Sequence, residues 1–344
     1  MNSYERFMAA LSRQEADRVP LAEPVIDGRI AQAICPQVQS QTDFEELMDF
    51  DAVYCGAKYK RVCEKQDGSY IDEWGVLYKP GPEIQDHPVK GPIISEADLE
   101  KYVPPDPDDP YRLGILPDLV RRFKYKRAIA FNCRAEFIWS AFLMGMDNLL
   151  LSFLAAPEFV HRLLNRVLEV NIAVARNAVR AGADVIQLGD DYAGTHGPFV
   201  SPRVFKEFMQ PRLRKMVEAI HEEGAKVIKH SDGNLWPILE MLVDTGIDGL
   251  HPIEPLAGMD IGEVKCRYGD RICVLGNIDC SYLLPHGTTA EVEAAVRECI
   301  HKASFGGGHV ICSSNSIHSS VKPENYLAMI KAAKKYGRYP EGRS

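Results

Sequence analysis

No two of the nine cysteines stand in a Cys-x-x-Cys pair, and they scatter from Cys35 to Cys312. A disulfide framework is excluded, and a chain whose thiols stay reduced is expected. No apolar run is long enough to span a bilayer. The opening stretch "MNSYERFMAALSRQEADRVP" has no apolar leader, so a cytoplasmic chain without a membrane partner is expected. Basic excess is also missing. The formal charge of −8 argues against nucleic-acid and anionic-membrane partners, which require clustered cations. The run "RRFKYKR" at 121–127 is the local exception, and a solvated helix end accounts for it. There is no G-x-x-x-x-G-K-[ST] phosphate loop and no H-E-x-x-H metalloprotease helix. The glycines at 306–308 precede their strand, on the wrong side of a barrel to cradle a phosphate.

What is present is a rhythm. From about residue 157 amphipathic helices end in glycine (Gly182, Gly224, Gly246, Gly269), and short apolar runs ending in polar residues follow. Glycine after a helix suits a left-handed cap, and Asp or Ser after a strand suits the next helix's start. Apolar runs alternating with helices imply a parallel sheet covered on both faces. Five such runs follow residue 180, and "RVPLAEPVID", "DAVYCGAKY" and "AIAFNCRAE" precede them. Eight runs predict a (β/α)8 TIM barrel within one domain spanning 1–344. Between the second and third, residues 60–125 read as an insertion over the barrel mouth, with a β-hairpin signal at Asp67-Gly68. Trp74 and Tyr70 on that hairpin read as local packing.

Barrel chemistry sits at the C-terminal strand ends. Read in order, these ends offer Glu23, Asn132, Arg134, Asp190, Asp191, His230, Asp232, His251, Glu254, Asn277 and Asn315. In "KHSDGN" Asp232 could cap the helix starting near Trp236. Alternatively it joins His230, two residues away on the same strand face, as a metal or acid/base pair. A metal needs a further ligand, for which Glu254 and Asn315 are available. Of Asp190 and Asp191, one suits loop support and the other acid/base or substrate-anchoring work. Glu23 lies in an apolar strand and demands a partner or a proton. Arg134 could pair with Glu136 or Asp190, or bind a substrate carboxylate. Asn277 could hold ligand or bridge strands.

The stretches "GADVIQLGDDYAG", "KHSDGN", "GIDGLHPIEPLAGMD", "YGDRICVLGNID", "HGTTAEVEAAVRECI" and "GGGHVICSSNSIHSSVKPENY" together resemble the uroporphyrinogen decarboxylase superfamily over nearly the whole chain. Departures narrow what the resemblance implies. The haem-pathway decarboxylases carry an arginine-rich loop after the first strand, an Asp after the second and a late His. Here stand "EPVIDGR", Ala57 and Asn315. The thiol-methylating branch holds zinc with His-x-Cys and a later Cys. Here His230 remains, while Asp232 and Asn315 replace the thiolates with harder ligands, so zinc at His230 and Asp232 is disfavoured. The resemblance then implies a corrinoid-dependent methyltransferase component that demethylates a small methylated donor, for example a methoxylated aromatic. A cobalamin would be carried by a partner corrinoid protein, since no Asp-x-His-x-x-Gly motif is present. In this reading His230, Asp232, Asp190 and Glu254 are catalytic, assisting departure of the heteroatom. Glu23, Asn132, Arg134, Asp191, Asn277 and Asn315 bind the substrate. The competing expectations are decarboxylation of a porphyrinogen or smaller acid, and a non-catalytic subunit that docks a corrinoid protein.

Overall fold

Seven of the eight apolar runs form one parallel sheet. The computed structural model describes residues 1–81 and 86–339. The chain enters the sheet at β1 (Ala52–Gly56) and then builds an antiparallel meander of β2 (Arg61–Glu64), β3 (Tyr70–Asp72), β4 (Leu77–Lys79) and β5 (His87–Lys90). It returns through β6 (Ala128–Cys133) and β7 (Val185–Gly189), forms a two-residue-per-strand ribbon of β8 (Ala193–Gly194) and β9 (Gly197–Pro198), and continues. β10 (Lys226–His230), β11 (Gly249–His251), β12 (Cys273–Leu275) and β13 (His309–Val310) complete the sheet, in the order β1-β6-β7-β10-β11-β12-β13.

The eighth run, 18–27, is not a regular strand, and its composition explains why. Pro20 and Pro24 have no N–H to give a ladder. Isolated bonds nevertheless tie it to both edges of the sheet. Leu21 O accepts from Asp51 N at 2.8 Å beside β1, and Ala22 N donates to Ile311 O at 3.2 Å beside β13. The result is a curled, helix-wrapped sheet of TIM-barrel type. Inside it pack Ala52, Tyr54, Ala128, Ala130, Val185, Ile228, Cys273, Leu275 and Val310, with Phe7 and Leu11 of helix Ser3–Leu11 alongside.

The expected hairpin is the first half of a four-stranded sheet. Trp74 is fully buried and stacks on Trp139 of helix Phe137–Met144 at 4.6 Å, so it packs rather than serving as an aromatic lid. The basic run is largely neutralised within the chain, with Arg122 against Glu46 and Lys124 against Asp184. The helical segment that ends before Gly224 contains a π turn, Phe205–Met209. Pro211 follows it, and the widened turn accommodates the N–H that proline lacks. All nine cysteines are free. Among the described residues, no single helix is long and apolar enough to cross a membrane.

Candidate active site

Strand parity decides what faces the barrel mouth. On β10, Ile228 lies in the barrel interior, so His230 and Asp232 continue on that face above it. His230 is in register with Gly189 of β7, which places Asp191, two residues beyond Gly189, on the same face. His230 Nε2 lies 3.4 Å from Asp191 Oδ1 and 3.7 Å from Asp232 Oδ1. Asp191 Oδ1 also accepts from Asp232 N at 3.0 Å. Across the mouth Asn315 Nδ2 donates to Asp232 Oδ2, while Asp232 Oδ1 is buried without a hydrogen-bond partner.

Asp232 therefore does not cap a helix. Asn234 Oδ1 accepts from Trp236 N at 3.2 Å within the following turn, and the helix itself begins at Leu239 without a side-chain cap. Gly233 makes the turn possible with φ of +88°, where a Cβ would meet Ala193 carbonyl atoms at 2.6 Å. Its N–H donates to Glu254 Oε2 at 2.8 Å, which sets Glu254 behind Asp232.

Burial governs protonation here. Asp232 is pushed up to about 8, first by burial and then by the charges of Asp191 and Glu254, against the hydrogen bond from Asn315. Burial pulls His230 below the usual histidine range despite Asp191. Beneath it His251 is held well below that range by burial and by His230, and the two Nδ1 atoms are 2.7 Å apart. Both rings are neutral, and one Nδ1 carries the proton they share.

Asp190 belongs to a different cluster, and this corrects its expected place in the mouth. It is fully buried on the opposite strand face, where Oδ2 accepts from Phe137 N at 2.9 Å at the start of helix Phe137–Met144. With it lie Glu136, Tyr192 and Lys229. Tyr192 Oη donates to Glu136 Oε1 at 3.2 Å. Glu136 is raised to about 8 by burial and by Asp190. Lys229, absent from the sequence candidates, is buried and drawn down to about 8 by burial, against the attraction of Asp190, Asp191 and Glu136. Its Nζ donates to the carbonyls of Asp190 and of His230 (2.7 Å to the latter), joining the ends of β7 and β10 from behind.

The remaining candidates divide. Glu23 is fully buried and bonded to Ser313 Oγ at 2.7 Å and Ser313 N at 3.1 Å, and burial lifts it to about 8. Ser313 thus supplies the partner that an acid in an apolar segment demands. Asn277 Nδ2 donates to Ile253 O at 2.9 Å, bridging neighbouring strand ends, and lines a cavity of about 360 Å³ with Asp260, Cys299 and Lys302. Asn132 stands beside Gly56, whose missing Cβ leaves it room, and its buried Oδ1 has no partner. Arg134 pairs with neither Glu136 nor Asp190; it donates to Gly189 O at 2.6 Å and lies over the Phe142 ring.

Zinc at His230 and Asp232 was disfavoured by the sequence, with Glu254 and Asn315 as the available further ligands. The closest third donor is instead Asp191: one ligand atom each from Asp191, His230 and Asp232 lies within 4.8 Å of the others. By type and spacing, one imidazole and two carboxylates fit a divalent cation.

With this geometry in hand, relatives can be compared. The uroporphyrinogen decarboxylase of Trichodesmium erythraeum is 28% identical over 260 residues, 71% of this chain and 70% of its own. That of Chlorobium chlorochromatii is 24% identical over 361 aligned positions, 95% of this chain and 96% of its own. A methyltransferase from Methanosarcina mazei superposes over 98% of this chain and 99% of its own, with a TM-score of 0.79 at 21% identity, a likeness of fold. The family model described as Uroporphyrinogen decarboxylase (URO-D) matches residues 76–336, and the chain belongs to that enzyme family.

Proposed function

We propose that this chain moves a methyl group from a small methylated donor, of methoxylated aromatic type, to a corrinoid held by a partner protein. The observation that carries the reading is the charge of the mouth. The carboxylates of Asp191 and Glu254 stand beside His230 and the protonated Asp232, and Arg134 is the one guanidinium among the candidate residues there. A polycarboxylate porphyrinogen would meet like charge on most sides. A neutral ether oxygen would meet a protonated acid. The full-length fold likeness to a methyltransferase supports the same choice.

Demethylation leaves the electron pair of the breaking carbon–heteroatom bond on the heteroatom, which needs a proton as it departs. Asp232 retains its proton through neutral pH because burial and two neighbouring carboxylates oppose its ionisation. Asn315 occupies Oδ2, which leaves the proton to Oδ1, an atom with no other hydrogen-bond partner. Once the proton has gone, Asn315 Nδ2 and the nearby His230 edge support the new carboxylate. Asp191 holds the Asp232 backbone N–H, and His251 holds the His230 ring. The partner's corrinoid supplies the nucleophile that takes the methyl group.

The Asp191–His230–Asp232 spacing favours a second reading, in which these residues hold a divalent cation that acts as a Lewis acid on the leaving oxygen. Elemental analysis of protein purified without chelator separates the two. The proton route predicts well under one metal per chain; about one per chain, lost in Asp232→Ala, favours the cation. The reaction itself is tested by mixing chain, methoxylated donor and a reduced corrinoid protein and following the corrinoid spectrum. Methylation is expected. Release of CO2 from uroporphyrinogen, with no methylation from any donor, would overturn the proposal.

A further inference from the structure

We infer that Arg134 recognises one anionic group on the donor, so that the substrate class is a methoxylated aromatic monocarboxylate. The inference rests on the proposed methyl transfer and adds the chemistry of the substrate's other end.

Arg134 follows β6 on the face shared by Ala128, Ala130 and Asn132, the first two of which line the barrel interior. Its head is therefore carried to the mouth. There Nη1 donates to Gly189 O at 2.6 Å, and Gly189 is the register partner of His230 and stands two residues before Asp191. The guanidinium is thus seated at the strand end that carries the proposed acid/base cluster. Its other side lies 5.6 Å from the centroid of Phe142, which in turn packs against Trp139 at 5.7 Å and Tyr78 at 6.4 Å. A cation stands between an acidic cluster and an aromatic wall.

Arg134 is not alone in lacking a carboxylate partner, since Arg166 and Arg212 also donate to carbonyls without an ion pair; what sets it apart is its place at the mouth. Arg6 is bound by Asp17 and Asp51, and Arg112 by Glu73. Arg134 forms no ion pair with a carboxylate among the described residues, although it is half-buried. A guanidinium has five N–H donors in a planar fork that matches a carboxylate. The protein uses one of them on a carbonyl, and no other hydrogen bond of this guanidinium occurs among the described residues. A half-buried cation without a counter-ion carries a desolvation cost that an arriving anion offsets. One such arginine suits one carboxylate, not many. β6 and β10 flank β7, so Arg134 and Asp232 arise from strands about 10 Å apart. That span suits an aromatic ring with an acid at one end and a methoxy group at the other.

The test is direct binding, by calorimetry, in the absence of any corrinoid. The ligands are 2-, 3- and 4-methoxybenzoate and the matching neutral methoxybenzyl alcohols, each with wild type, Arg134→Gln and Arg134→Lys. At least one acid is expected to bind wild type about tenfold or more tightly than its alcohol, as a charge-assisted fork predicts. Arg134→Gln is expected to lose that preference while still binding the alcohol, which shows that the pocket is intact. Arg134→Lys should keep part of it. Equal binding of acid and alcohol, an undiminished acid preference in Arg134→Gln, or no binding of any acid would overturn the inference. Acid binding through Arg134 without methyl transfer would leave the anion site standing and sink the proposed reaction. Methyl transfer confined to neutral donors would do the reverse.

Discussion

Replacing Asp232 by asparagine changes little in shape and removes the proton on which the proposed chemistry depends. The amide can keep the bond to Asn315 through its oxygen and leaves His230, Asp191 and Glu254 in place. General acid catalysis is worth roughly 10²–10⁴ in rate, so the methyl-transfer step should slow by about that factor, or some 3–5 kcal/mol of barrier. The pH profile carries a second signature. With its carboxyl near 8, Asp232 is protonated through neutrality, and the wild-type rate should fall as pH rises through about 8. The variant's slow residual rate should lack that limb. Burial holds His230 below its usual range, so a limb of its own belongs on the acid side and not near 8. Stability should move the opposite way from activity. An acid whose folded pKa exceeds its unfolded value near 3.8 costs the fold stability as pH climbs from about 4 to about 8. The asparagine variant lacks that slope, so at pH 8 it should melt no lower than wild type. Single-turnover kinetics between pH 6 and 9, with thermal melts alongside, supply both readings. Undiminished turnover, or a wild-type alkaline limb in the variant, would refute the assignment of Asp232 as the acid.

Two further changes test the supports. Glu23 holds its proton to about 8 when folded and releases it near 4.5 when unfolded, so it too makes the fold less stable as pH rises between those values. Urea titrations should show Glu23→Gln losing part of that pH dependence, a difference of a few kcal/mol between pH 5 and 9; parallel curves would show that Ser313 already stabilises the anion. Lys229→Met strips the donor from the carbonyls of Asp190 and His230 and leaves Glu136 and Asp190 without their nearby cation. Chemical denaturation should record a loss of about 3 kcal/mol, and an unchanged midpoint would remove Lys229 from the framework of the site.

The sequence made the fold legible where helix ends and strand ends carry their own chemistry. Gly182, Gly224 and Gly246 take positive φ where helices were expected to stop, and Thr288 with Glu291 forms a capping box. At 18–27 the run expected as a strand is not a regular one, because Pro20 and Pro24 leave it only isolated bonds to the two sheet edges. The site was legible as positions at strand ends and less so as partners. Asp190 and Asp191 are adjacent in sequence and both were expected in the mouth, but they face opposite sides of the strand and only Asp191 stands beside His230. Parity could have separated them, since Gly189 pairs with His230 and the mouth-facing residue beyond it is Asp191. Lys229 left no such trace. A lysine inside "KVIKH" looks like an interruption, and only the packed structure shows it reaching back to two carbonyls. The capping of the turn by Asn234 rather than Asp232 was likewise a matter of loop geometry, set by Gly233.

The central claim is that an acid in this mouth helps a methylated heteroatom leave. The most direct measurement is the spectrum of a reduced corrinoid protein mixed with this chain and a panel of methoxylated aromatic compounds, with wild type and Asp232→Asn side by side. The account predicts corrinoid methylation by wild type with at least one donor and a drop of roughly 10²-fold or more in the variant. Equal rates for the two proteins, or silence across the panel while uroporphyrinogen is decarboxylated, would contradict it.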